Sequence, residues 1–183
     1  MNPLNSIFIL AATFVVVFCE AAFSGIRHLI GAQIDLLPAL VVCASLRAGV
    51  ATLTLVSVLG GLLFDALSGN PLGVSVLPLF VVGFAISLKS ELILRDQGYA
   101  QFVLGLLASA LVPAMVLLML LSGGRTPLLG WGSLWQWGVM SLGGAACTPA
   151  LFKFFDLCER SLNYRRAHES SFRQDREIRR GRN

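Results

Sequence analysis

Between residues 50 and 64, and again between residues 99 and 121, the chain carries no charged side chain. Comparable apolar runs recur from Ile7 to Phe155. A hydrocarbon core of ~30 Å needs roughly 20 apolar residues at ~1.5 Å each, so such runs read as membrane-spanning helices. The competing architecture is a soluble helical bundle. It fails because no run shows an amphipathic pattern that would offer water a polar face. Composition agrees: 56% of the 183 residues are hydrophobic and 13% charged, where soluble domains carry about 25% charged.

The runs divide into six expected spans, giving an all-α integral membrane protein with six transmembrane helices. The first covers about residues 7–23. Residues 1–6 contain no Lys or Arg and no small-x-small site follows cleanly, so this run is expected to be a retained helix, not a cleaved signal. A short loop with Arg27 and His28 follows. The second span starts near Asp35, a plausible N-cap, with Pro38 in its first turn, and ends near Leu46. Fusing it with the next run would bury Arg47 near mid-bilayer, at about 2.5 kcal/mol or more. A break at Arg47-Ala48-Gly49 avoids that and makes a tight hairpin. The third, fourth, fifth and sixth spans cover about residues 50–67, 74–94, 99–121 and 139–157. Arg95 to Gly98 form a polar turn, Trp131, Trp135 and Trp137 suit an interfacial aromatic belt, and Pro149 predicts a kink or break. With six spans, 12 of the 14 Lys and Arg fall on one side, which places both termini in the cytoplasm.

The expected domains are residues 1–158, the helical membrane part, and residues 159–183, a basic cytoplasmic tail. From Arg160 onward the chain holds Arg160, Arg165, Arg166, Arg173, Arg176, Arg179, Arg180 and Arg182 against three acids, while the residues before Arg160 have a net charge of −1. The basic character is thus local and does not describe a nucleic-acid-binding domain. Glu169/Arg173 and Asp175/Arg179 weakly favour a helix. The tail is either a solvated continuation of the last span or a contact for anionic lipid headgroups or an acidic partner.

The stretch FDALSGNPLG, residues 64–73, interrupts this pattern. Gly69 suits a helix C-cap with positive φ, and Pro71 pre-sets the turn into the fourth span, which restarts at Gly73. Asp65 precedes the turn and has three readings. It sits solvated among headgroups, it accepts hydrogen bonds from N–H groups at the start of the fourth span, or it belongs to an ion path. Glu20, the other acid expected on the outer side, reads more as an interface group than as part of a relay. Gly105 and Ser109 share one face of the fifth span with Pro113, and Gly143 and Gly144 cluster in the sixth. Small residues at that spacing let membrane helices approach closely, within this chain or with a partner helix. The four cysteines have no paired spacing, no clustered Cys or His offers a metal site, and no hydrolase, metalloprotease or phosphate-loop motif occurs. No catalytic group and no cofactor is expected.

The stretch GGLLFDALSGNPLGVSVL, with Gly61, Asp65, Ser68, Gly69, Leu72, Gly73 and Leu77, resembles the central signature of the bacterial rod-shape-determining MreD family. IDLLPALVVCASLR looks like that family's second span, from Asp35 and Leu36 to Arg47. The match covers residues 35–89; the flanks agree in hydropathy only, and the tail is longer than the family leads one to expect. The resemblance implies a non-catalytic, multi-pass inner-membrane scaffold of the Rod (elongasome) machinery for peptidoglycan synthesis and cell shape. It implies an MreC-like single-span partner, a RodA-type glycosyltransferase, a class B penicillin-binding transpeptidase, and indirect association with the MreB cytoskeleton. It also implies a helical layout similar to the substrate-binding subunits of energy-coupling-factor transporters. That layout raises a rival function, binding a vitamin-type solute for transport. The rival needs a concave site with aromatic stacking, for which only the three tryptophans are candidates. A third reading is a proton-coupled carrier using Glu20 and Asp65.

Overall fold

The computed structural model describes residues 3–22, 31, 33–89, 97–124 and 130–171. The described residues are all-helical, in six helices: α1 (Pro3–Ala22), α2 (Leu37–Arg47), α3 (Val50–Ser68), α4 (Val76–Leu88), α5 (Gly98–Ser122) and α6 (Trp131–Ser171). The expected loop residues Arg27 and His28, the Arg95–Asp96 part of the polar turn, Arg125, and the tail residues Arg173, Arg176, Arg179, Arg180 and Arg182 lie outside the described residues.

Among the described residues, three helical stretches are long and apolar enough to cross a membrane: Val50–Ser68, Gly98–Ser122 and Trp131–Cys158. The apolar stretches Ser6–Ala22, Leu37–Arg47 and Val76–Leu88 are shorter. At ~1.5 Å per residue, the 11 residues of α2 reach only about 16 Å, half a hydrocarbon core.

Shortness goes with position. α2 packs against α1, α3, α4 and α5, and every residue from Leu37 to Leu46 is buried. Its sequence suits a helix enclosed by protein: small or apolar on all sides, with one hydroxyl, Ser45, that donates to its own Val41 carbonyl at 2.6 Å. Pro38 falls in the first turn, as the sequence predicts, where its missing N–H leaves no bond unmade. The helix stops at Arg47, and Gly49 at φ 82° turns the chain into α3. Neighbours approach α2 through glycine. A Cβ on Gly83 of α4 would lie 2.6 Å from Val41 Cγ1, and one on Gly60 of α3 would lie 2.7 Å from Leu37 Cδ1.

The chain divides into two compact units, Met1–Leu151 and Phe152–Asn183. Within the first, α5 and the N-terminal part of α6 meet through small residues. A Cβ on Gly105 would collide with the Thr148 hydroxyl, and one on Gly144 with the Ser109 hydroxyl. Gly143 faces Ile34 instead. Within the second, α6 continues as helix to Ser171, with Phe154 and Phe155 edge to face at 5.9 Å.

Two helix starts differ from the sequence expectation, and of the kink or break expected at Pro149 the break does not occur. The fourth span begins at Val76, not near residue 74, because the residues just before it are held in a turn. The last helix begins at Trp131, not near residue 139, so the tryptophans stand on its first turns and not in a loop. Trp131 is 88% exposed, and Trp137 Nε1 donates to the Ala110 carbonyl at 3.0 Å. The helix also passes through Pro149 without a break. Thr148 donates its hydroxyl to the Gly144 carbonyl at 2.7 Å; the carbonyl that Pro149 leaves without an N–H is that of Ala145.

Candidate functional site

The turn between α3 and α4 is built on one residue. Asp65 is fully buried. Its Oδ2 accepts from the Gly73 N–H at 2.9 Å and the Ser75 N–H at 3.1 Å, and its Oδ1 from the Ser75 hydroxyl at 2.5 Å. Its backbone carbonyl accepts from Gly69 and from Asn70 at 3.2 Å. Gly69 takes φ 69°, the left-handed C-cap read from the sequence, and Gly73 takes φ 92°. One helical turn before Asp65, Gly61 backs onto α4: a Cβ there would lie 2.9 Å from Val76 Cα. Gly61, Asp65, Gly69, Gly73 and Ser75 therefore form one clamp. Asp65 is not among solvated headgroups; of the three readings, the one in which it bonds N–H groups leading into the fourth span describes it. Sequence reasoning does not single out Ser75, although a Ser just ahead of a helix is itself a signal. Ser68 and Leu72 face outward, Leu72 at 70% exposure, and Pro71 is half-buried.

A second carboxylate site lies at the start of α2. Glu20, near the end of α1, reaches across to accept the Leu36 N–H with Oε1 at 2.6 Å. Asp35 accepts the Leu37 N–H with Oδ1 at 2.9 Å. Two acids thus serve consecutive N–H groups of one helix start, where orphan donors favour anions. The same segment is tied to α6, since Gln33 N–H donates to Gln136 Oε1 at 3.2 Å and Gln136 Nε2 returns a bond to the Gln33 carbonyl at 3.0 Å. Glu20 is thereby a half-buried strut and not an exposed interface group. Its other oxygen, Oε2, is buried without a hydrogen-bond partner among the described residues. Asp35 reads from the sequence as a helix cap, and it does so from one residue ahead of the N-cap position, Leu36. The Glu20–Leu36 bond is out of reach of local pattern reading.

Two cavities flank Phe64. One of about 630 Å³ is lined by Glu20, Cys19, Gln33, Ser68, Cys147 and surrounding apolar side chains of α1, α3 and the segment before α2. The other, of about 260 Å³, is lined by Asp35, Asn70, Ser75 and apolar side chains of α4, α5 and α6. Trp131, Trp135 and Trp137 line neither. Among the described residues no group of three His, Cys, Asp or Glu could hold a metal ion. Of the basic tail, Arg160 is exposed and Arg165 and Arg166 lie on the helical backbone.

No protein-family model, curated protein or solved structure matches this chain, so its geometry carries the functional reading without a relative to lean on.

Proposed function

We propose that this protein is a non-catalytic membrane scaffold of the wall-elongation (Rod) complex, similar to MreD, multi-pass in the bacterial inner membrane with both termini cytoplasmic. The observation that carries this reading is the Asp65 clamp. Of the residues that bear the family resemblance, Gly61, Asp65, Gly69 and Gly73 fix a helical hairpin, and every Asp65 oxygen is engaged in turn bonds. A proton carrier needs an acid open to a path, and Asp65 has no oxygen to spare for one. Leu72, exposed at the apex of the rigid turn, is then a candidate contact for the MreC-like partner. The RodA-type polymerase, the class B transpeptidase and MreB are reached through that partner. Contact of the Arg160–Arg182 tail with anionic lipid or an acidic partner belongs to the same proposal.

Affinity purification of the full chain in mild detergent, with mass spectrometry of the co-purifying proteins, tests the reading. MreC-like and wall-polymerase proteins are expected. Recovery of an ATPase module in their place overturns it in favour of a small-solute-binding transporter subunit. The observation favouring that second reading is the 630 Å³ cavity, a ligand-sized volume. Against it, the tryptophans that would stack on a vitamin do not line the cavity. Removing residues 165–183 separates the tail's share: partners that persist after truncation are held by the helical part.

A further inference from the structure

The smaller cavity, of about 260 Å³, has mainly apolar walls, with Leu79 of α4, Val112, Val116, Leu117 and Leu120 of α5 and Met140 of α6 among them. An apolar cavity of only about 150 Å³ is enough to take benzene. Asp35, Asn70 and Ser75 are the polar members of the lining. Ser75 is spent, since its N–H and its hydroxyl both go to Asp65. Asp35 is not. It is 6% exposed, and its Oδ1 accepts the Leu37 N–H. No hydrogen bond reaches its Oδ2 among the described residues. Unlike Glu20 Oε2, that atom is not sealed inside the protein. Asp35 lines this cavity and not the larger one. The Asn70 side-chain amide likewise makes no hydrogen bond among the described residues; only its backbone N–H is used, by the Asp65 carbonyl. Polar groups so nearly buried are costly to leave unanswered. A hydroxyl is the smallest head that can donate to a carboxyl oxygen and still accept from an amide NH2, whereas an ammonium has no acceptor to offer.

We propose that this cavity is a binding site for a neutral hydrocarbon alcohol, whose hydroxyl donates to Asp35 Oδ2 and accepts from the Asn70 amide while its chain lies along α5. The site stands apart from the scaffold reading and survives or fails without regard to which proteins co-purify.

The full chain in phosphatidylcholine nanodiscs is photolabelled with an octanol that carries a diazirine, and the labelled residues are mapped by mass spectrometry. Saturable labelling of the α5 and α6 residues that line the cavity is expected, with protection by excess 1-octanol. The ether 1-methoxyheptane has the same number of heavy atoms and no donor, and should protect about tenfold less well, the scale of one lost hydrogen bond to a charged group. Octylammonium should also protect less well than 1-octanol. Asp35→Asn keeps an oxygen for the Leu37 N–H and puts an NH2 where Oδ2 stood, which serves alcohol and ether alike, so the preference for the alcohol should collapse. Asn70→Leu leaves the backbone bond to Asp65 in place and should weaken 1-octanol several-fold. Val116→Trp, or Val112→Phe if that variant does not elute as a single species, should abolish protectable labelling by filling the cavity. Equal protection by the ether, better protection by octylammonium, an alcohol preference that survives Asp35→Asn, unchanged 1-octanol affinity in Asn70→Leu, or protectable labelling that persists in the filled variants would each overturn the proposal. So would labelling of the unmodified protein that is not saturable or that falls elsewhere.

Discussion

Asp65 and Glu20 are both carboxylates that bond backbone N–H groups ahead of a helix, yet they are finished to different degrees. Asp65 receives two N–H groups and a hydroxyl on its two oxygens, all from residues no more than ten positions away. Among the described residues Glu20 receives one N–H, from a residue 16 positions away, and its second oxygen is buried and unbonded. The first arrangement closes on itself and leaves neither oxygen unbonded. The second leaves one acceptor over, enclosed by the protein. In an apolar protein, two acids with the same backbone task differ in how completely their oxygens are used.

The contrast breaks most visibly at Asp65. Asp65→Ala leaves the Gly73 and Ser75 N–H groups and the Ser75 hydroxyl without their acceptor. Hydrogen bonds to charged groups are worth about 1.5–3 kcal/mol each, so a loss of at least ~3 kcal/mol of stability is expected. Thermal unfolding in detergent would show it as a large drop in midpoint. A midpoint near that of the unmodified protein would mean that the turn is held by its glycines and not by the carboxylate. Asp65→Asn keeps one acceptor oxygen and should fall between.

Gly83→Ala comes next in size. Its new Cβ would meet Val41 Cγ1 at 2.6 Å and Leu53 Cδ1 at 2.5 Å, and overpacking of this kind costs about 1–3 kcal/mol. Gly105→Ala faces the same obstruction from the Thr148 hydroxyl on α6. These two variants ask whether α2 and its neighbours behave as a close-packed interior or a loose one. Gly69→Ala is smaller, about 1 kcal/mol, because nothing lies within 4 Å of the new Cβ and only the left-handed φ of 69° resists it. An unchanged midpoint there would show that the cap relaxes to another conformation.

The local half of this architecture is legible in the sequence. Gly69 as a cap, Pro38 in a first turn and the break after Arg47 each rest on the φ preference of one residue or the geometry of one helical turn. Local pattern narrows Asp65 to three alternatives, since a carboxylate four residues before a Gly-Asn-Pro turn has nearby N–H groups to accept. The hidden half depends on distance through space. Nothing near Glu20 announces Leu36, and no periodicity announces that Gln136 will bond Gln33. The helical start at Trp131 escapes sequence reading because glycines at 132 and 138 weaken the local helix signal that packing overrides. A cavity is a property of what several helices fail to fill, and it has no sequence signature at all.

The smallest stability effect is expected at Glu20, and it sharpens the comparison furthest. Glu20→Gln preserves an oxygen for the Leu36 N–H and adds an NH2 where Oε2 stood without a partner. It replaces a carboxyl that shares its helix start with Asp35. Those changes oppose one another: a weaker, uncharged acceptor on one side, relief of like-charge repulsion on the other. The net shift in stability should be under about 1 kcal/mol in either direction, against the multi-kilocalorie loss at Asp65. If Glu20→Gln destabilises as much as Asp65→Asn, the Glu20–Leu36 strut is as essential as the hairpin clamp, and the surplus oxygen is incidental to a structural acid. If it stabilises, the native protein is keeping an unfavourable charge in its interior, and that charge has a use other than holding the fold.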